Sequence, residues 1–148
     1  MRKEILYVLL YLVMASCKQA KQGLDISGTW QLQTGTLIDK KDTKVTDYLH
    51  GKRFIKILNG SHFAFMGHDL GNTHDSTAFF SAGGGRYTLK DSLYTEHLEY
   101  CNDRVWENHD FQFVISLIGD TLIQKGIENV PGTNVSRVNI ERYVRVNP

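Results

Sequence analysis

From residue 26 onward, apolar and polar side chains alternate with a period of two, which predicts strands rather than helices. Over residues 26–38, Trp30 and Leu32 share one face, with Thr29, Gln31 and Gln33 on the other, so the indole points inward. Gly28, two residues earlier, lets the incoming backbone pass close beneath that ring. Residues 39–48 are charged and aperiodic and read as a loop or a short lid. Residues 52–66 carry the plainest hairpin pattern. Phe54-Ile55-Lys56-Ile57-Leu58 and His62-Phe63-Ala64-Phe65 flank Asn59-Gly60, a pair suited to the positive φ angles of a tight turn. Turns of two and of three residues both fit, and a one-residue slip exchanges the faces, so the side taken by Phe63 and Phe65 stays open.

Residues 77–82 predict the next strand. Gly83-Gly84-Gly85 leads from it into Arg86-Tyr87-Thr88-Leu89, a strand and not a helix, so the glycines read as a hairpin connection or barrel corner rather than a phosphate cradle. After Asp91-Ser92, Tyr94, Glu96, Leu98 and Tyr100 share a face opposite Thr95, His97 and Glu99. Phe111, Phe113, Ile115 and Leu117 form an inward row, Gly119-Asp120 turns the chain, and residues 121–127 return it. Pro131-Gly132-Thr133-Asn134 marks a loop before the last strand, residues 135–146, which places Val138, Ile140, Arg142, Val144 and Val146 on one face. About nine short strands without a helical period predict an all-β fold. The expected form is an antiparallel up-and-down barrel of about 8–10 strands, which closes its sheet and leaves no free edge.

Glu96 and Arg142 are the charged residues that interrupt these apolar rows. Glu96 is either solvated at a barrel mouth or held inside by hydroxyls and a cation, since an unpaired buried charge is expensive. Arg142 over the face of Trp30 would close one end of the barrel together with Gly28. The candidate ligand wall is Tyr87, Tyr94, Tyr100, Phe111 and Phe113, with Glu96 as polar anchor for a small hydrophobic ligand. No catalytic residue is assigned: His97 is adjacent to Glu96 and so points to the opposite face, and no serine or cysteine has a nucleophile's setting. His62, His68-Asp69 and His74-Asp75 are metal-ligating residue types, but their spacing fits no metal motif, and a histidine-rich surface loop is expected, with no metal or cofactor.

The amino terminus is read separately. Arg2 and Lys3 precede an apolar run over residues 5–15 that stops at Ser16-Cys17, which describes a secretory signal too short to span a bilayer. Met14-Ala15-Ser16-Cys17 resembles the lipobox of bacterial lipoproteins, with methionine where leucine is usual. The resemblance implies a signal over residues 1–16, a lipidated tether over 17–24 beginning at Cys17, and a barrel domain over 25–148. Removing 16 of 148 residues leaves 132, enough for one core. Arg2, Lys3 and Glu4 go with them, which takes 17 basic and 16 acidic side chains to a balanced 15 and 15. That balance argues against nucleic acid as a partner. With Cys17 lipidated, Cys101 has no cysteine to pair with, so no disulfide framework is expected and Cys101 reads as a small buried apolar residue.

Several segments, taken in order, resemble the bacterial lipocalin-like lipoproteins, calycin-superfamily proteins with a lipocalin-like domain of unknown function. They are Gly28-Thr29-Trp30, Gly83-Gly84-Gly85 before Tyr87, Tyr94-Thr95-Glu96-His97, Gly119-Asp120-Thr121-Leu122 and Glu141-Arg142-Tyr143-Val144-Arg145-Val146. The resemblance covers nearly all of the chain after Leu24, although a clear helix before the last strand is missing. Gly28 and Trp30 match the glycine-x-tryptophan of lipocalins, and Arg142 matches the last-strand arginine that packs across that tryptophan. It implies a cell-envelope protein held in the membrane through Cys17, in a Gram-negative outer membrane facing periplasm or surface. Its barrel would bind a small apolar or lipid-like molecule without catalysis. A filled barrel serving as an interaction module, and an enzyme using Glu96 as acid/base, are the competing readings.

Overall fold

The computed structural model describes residues 23–40, 42–71 and 78–147. The expected signal, Cys17 and the His74-Asp75 pair lie outside these residues. Nine strands follow one another: β1 (Gly28–Asp39), β2 (Asp42–Asp47), β3 (Lys52–Leu58), β4 (His62–Asp69), β5 (Phe80–Lys90), β6 (Leu93–Cys101), β7 (His109–Ile118), β8 (Thr121–Asn129) and β9 (Ser136–Arg145). All pairings are antiparallel, and β9 returns to pair with β1, which closes the sheet. One edge of β1 is divided: residues 28–31 pair with β3 and residues 34–39 with β2. Eight strands therefore form the closed up-and-down wall, and β2 takes over from β3 along β1. Among the described residues the only helical element is a single 3-10 turn, Arg104–Trp106.

The expected loop over residues 39–48 is thus largely a strand. Its backbone is paired from Asp39↔Asp42 to Thr34↔Asp47, but its side chains are mostly exposed, so no inward row marks it in the sequence. Three residues, 59–61, separate β3 from β4, with Leu58 opposite Phe63. Neither Asn59 nor Gly60 takes a positive φ; instead Asn59 Oδ1 accepts the amides of Ser61 and His62 at 2.9 and 2.8 Å. Positive φ angles occur instead at Asp91 and Gly119, which open the β5–β6 and β7–β8 turns. Gly83-Gly84-Gly85 is not a hairpin connection: it lies inside β5, and of the two expected settings the barrel corner is the one compatible with the register shift against β6 between Gly84 and Gly85. A Cβ on Gly83 would lie 2.6 Å from the Tyr100 carbonyl oxygen, and one on Gly85 2.0 Å from that of His97, so neighbouring backbone occupies the space.

Two register shifts decide which side chains face inward. Gly84 pairs with Tyr100 and Gly85 with Leu98, leaving Glu99 as an extra residue in β6. Leu32 pairs with Tyr143 and Thr34 with Arg142, leaving Gln33 extra in β1. Each bulge exchanges the faces beyond it.

One end of the barrel is packed. Ile26, Trp30, Leu32, Leu58, Phe63, Tyr94, Ile115, Leu122 and Tyr143 are buried, Trp30 completely, and its Nε1 donates to the Ile26 carbonyl at 2.8 Å. The arginine over Trp30 is Arg145 and not Arg142: its guanidinium carbon lies 4.1 Å from the ring centroid, and the group donates to the carbonyls of Ser27 and Asp25. The reason is register. Trp30 sits opposite Arg145, and a residue three positions earlier on a strand faces the other way, so Arg142 is exposed on the outside. Gly28 makes room for this closure with a φ of +133°, and a Cβ there would come within 2.8 Å of Arg145 Nη1.

Candidate functional site

The opposite end is open and leads into a cup of about 400 Å³. Its upper wall is aromatic. Phe54 stacks on Phe65 with centroids 5.7 Å apart, and Tyr48 meets Phe54 and Phe79 edge-on at 5.8 and 6.4 Å. Across the mouth, Trp106 from the 3-10 turn packs on Phe111 at 5.7 Å, with the Arg137 guanidinium 5.3 Å from the indole centroid. Such ring pairs add rigidity and apolar area at small entropic cost.

The floor is polar and ionic. Lys56, 3 % exposed, is delivered by β3 between Phe54 and Leu58 on the inward face. Its Nζ donates to Glu96 Oε1 at 2.7 Å and to Gln124 Oε1 at 3.0 Å, and Glu141 Oε2 stands 3.9 Å away. The rings of Phe63, Tyr94 and Tyr143 surround the ammonium at 5.8, 5.8 and 5.4 Å. Burial alone would push Lys56 down. The charges of Glu96, Glu141 and Glu128 and the hydrogen bond to Glu96 outweigh it and hold the ammonium above its ordinary value. Burial pushes the Tyr143 phenol well up, helped by Glu141 and Glu96, and that hydroxyl donates to Glu141 Oε2 at 2.9 Å. Higher in the cup, Glu128 accepts from Arg137 Nε and Asn139 Nδ2, both at 2.7 Å. Burial raises the Glu128 carboxyl above its usual range despite the opposing charge of Arg137.

Of the sequence-derived ligand residues, Glu96, Phe111 and Phe113 line the cup. Glu96 is held inside by a cation, as one of its two expected settings required. Tyr94 lies beneath, buried against Tyr87 and Phe113, and its hydroxyl has no hydrogen-bond partner within bonding geometry. Burial pushes that phenol far up, and the nearby Glu96 carboxylate adds to the rise. Tyr87, expected in the wall, instead sits on the packed side of the floor, where its hydroxyl donates to the Asn59 carbonyl. Tyr100 is outside and 69 % exposed, because the extra residue Glu99 reverses the alternation and turns Cys101 toward the cup. Cys101 is half-buried rather than fully buried, and burial raises its thiol. No group of three or more His, Cys, Asp or Glu side chains among the described residues is placed to hold a metal ion.

Sequence reasoning passed over Lys56, Gln124, Glu128, Arg137, Asn139, Glu141 and Tyr143. The signal was present as alternation: β9 reads Arg137, Asn139, Glu141, Tyr143, Arg145 on one face and Val138, Ile140, Arg142, Val144 on the other. The apolar row was assigned to the interior, whereas the polar row is the one that lines the cup. An eight-stranded closed antiparallel barrel, packed at one end and hollow at the other, is compatible with a lipocalin-like fold. No protein-family model, curated protein or solved structure matches the chain.

Proposed function

We propose that the chain is a lipid-anchored lipoprotein of the bacterial cell envelope whose barrel binds a small, largely apolar molecule and performs no catalysis. The observation that carries the binding role is the cup itself, about 400 Å³ and open at one end, within the roughly 300–1,000 Å³ of small-molecule sites. Its aromatic rim over a few fixed polar groups is the usual composition of such sites. Anchoring rests on Met14-Ala15-Ser16-Cys17 and its likeness to the lipobox. A non-catalytic reading fits the engagement of Glu96 with Lys56 and the position of His97 on the outer face, where its Nδ1 is 2.6 Å from Asp110. Native mass spectrometry and lipid extraction of the purified protein test the binding role: an adduct of defined mass supports it, and a barrel that always emerges empty counts against it. Cys17→Ser tests anchoring, since the variant should leave the membrane fraction.

The interaction-module reading is favoured by a separate observation. Val45, Val114, Ile118 and Ile127 are each at least 60 % exposed on the outer surface. A pull-down with the anchored protein that recovers one stoichiometric envelope partner would support it.

A further inference from the structure

Six charged side chains among the described residues line the cup: Lys56 and Arg137 against Glu96, Glu128, Glu141 and Asp103. Two of the carboxylates are matched, Glu96 by Lys56 and Glu128 by Arg137, each at 2.7 Å. Glu141 and Asp103 are left over. Glu141 receives the Tyr143 hydroxyl on Oε2 and stands 3.9 Å from a lysine already bonded to Glu96, while its Oε1 has no donor within bonding distance among the described residues. Asp103 stands exposed at the rim, beside Trp106. The cup thus carries two more negative than positive groups, with one surplus carboxylate at the floor and one at the entrance. Asp103 is solvated at the rim, so the imbalance counts at Glu141, whose only cation among the described residues is the shared Lys56 at 3.9 Å; a ligand bearing a positive charge there removes it.

The aromatic surroundings select the same partner. At the floor the barrel already stabilises one ammonium, that of Lys56, by a carboxylate and three ring faces. Toward the mouth, Trp106 and Phe79 already carry the Arg137 guanidinium and the Lys52 ammonium at 5.3 and 4.7 Å, and Tyr48 and Phe54 offer further rings of the kind that attract a desolvated cation through their quadrupole.

We infer that the cup takes a small amphiphilic cation, an organic amine whose ammonium approaches Glu141 while its apolar body lies against the aromatic wall. The inference rests on the binding role proposed above and adds the charge class of the ligand. Its test uses three matched probes: 2-phenylethylammonium, 2-phenylethanol and 3-phenylpropanoate. The full chain, purified in detergent, is titrated with each by calorimetry against a detergent blank, with Trp106 fluorescence as a second readout. The ammonium should bind at least tenfold more tightly than the alcohol, a difference of about 1.4 kcal/mol, and the carboxylate most weakly. Glu141→Gln, which keeps an acceptor for Tyr143, should bring the ammonium-to-alcohol affinity ratio down toward one, with circular dichroism and the thermal transition showing that the variant folds. Equal binding of alcohol and ammonium, or a preference that survives Glu141→Gln, overturns the charge assignment and leaves the cup a site for neutral ligands. Binding of none of the three overturns the binding role as well.

Discussion

Replacing Lys56 with methionine keeps the apolar stem and removes only the ammonium. In the native barrel the Lys56 side chain is 4 % exposed and its ammonium is bonded to Glu96 at 2.7 Å and Gln124 at 3.0 Å. Without it, Glu96 is left as a buried carboxylate with no counter-charge, and Gln124 Oε1 loses its donor. Breaking one side of a buried ion pair costs roughly 3–5 kcal/mol, most of it the penalty on the charge left behind. For a domain of this size that is roughly a third of a typical stability and lowers Tm by roughly 10–25 °C. The assay is urea and thermal unfolding of Lys56→Met, Glu96→Gln and the double variant. Since replacing both partners of such a pair is close to neutral, the double variant should recover most of the loss, giving a coupling of at least about 2 kcal/mol. Losses that simply add, or a Lys56→Met variant within about 1 kcal/mol of the parent, would refute the placement of this ammonium at the cup floor. The native Lys56 carries the opposite signature in pH. Its pKa is raised in the fold, so its stabilisation is complete below the ordinary 10.5 and is lost only as pH climbs through the higher folded value.

Arg145→Met should cost about 1–3 kcal/mol in urea unfolding, for the stacking over Trp30 and the hydrogen bonds to Ser27 and Asp25, whereas Arg142→Met should stay within about 0.5 kcal/mol; the reverse ranking would restore Arg142 as the closing residue. Gly85→Ala forces a Cβ into the His97 carbonyl and should destabilise by at least about 1–3 kcal/mol, read from the denaturation midpoint, with no such penalty at the open turn residue Gly60. Glu128 has a folded pKa raised above 4.5, so its contribution is fully present below 4.5 and is lost as pH rises through the folded value. Glu128→Gln should therefore flatten the stability profile measured upward from about pH 4.5; an unchanged profile would show that this carboxyl does not titrate in the folded barrel.

The strand pattern was open to reading because a barrel wall has two environments, and side-chain alternation records them with a period of two. It placed Trp30 and Leu32 inward, marked the rows of β6 and β7, and found the β5–β6 and β7–β8 turns at Asp91-Ser92 and Gly119-Asp120. It failed at β2, whose side chains are nearly all exposed, and in offering a hairpin connection at the three glycines of β5, whose small size reflects crowding by other strands. Tyr100 and Arg142 were misplaced for related reasons. A bulge beyond Leu98 reverses one face, and in β9 the choice between two alternating rows was made by polarity.

By itself, then, the sequence determined that the chain makes short strands closing into one barrel, and that a carboxylate at Glu96 stands on an inward row. The strands and the inward row are local properties, since each follows from residues within a few positions of one another; closure follows from them because a sheet of such strands must hide its edges. Which row faced inward in β9, which arginine met Trp30, and that Lys56, Glu96, Gln124 and Glu141 meet at one floor were decided only in the tertiary structure. They depend on strand register, and register is fixed by the joint packing of residues far apart in the chain: Lys56 and Gln124 are 68 positions apart, and Arg145 and Ser27 118. The polar row could go inside because its charges found partners there and because the cup left part of the interior open.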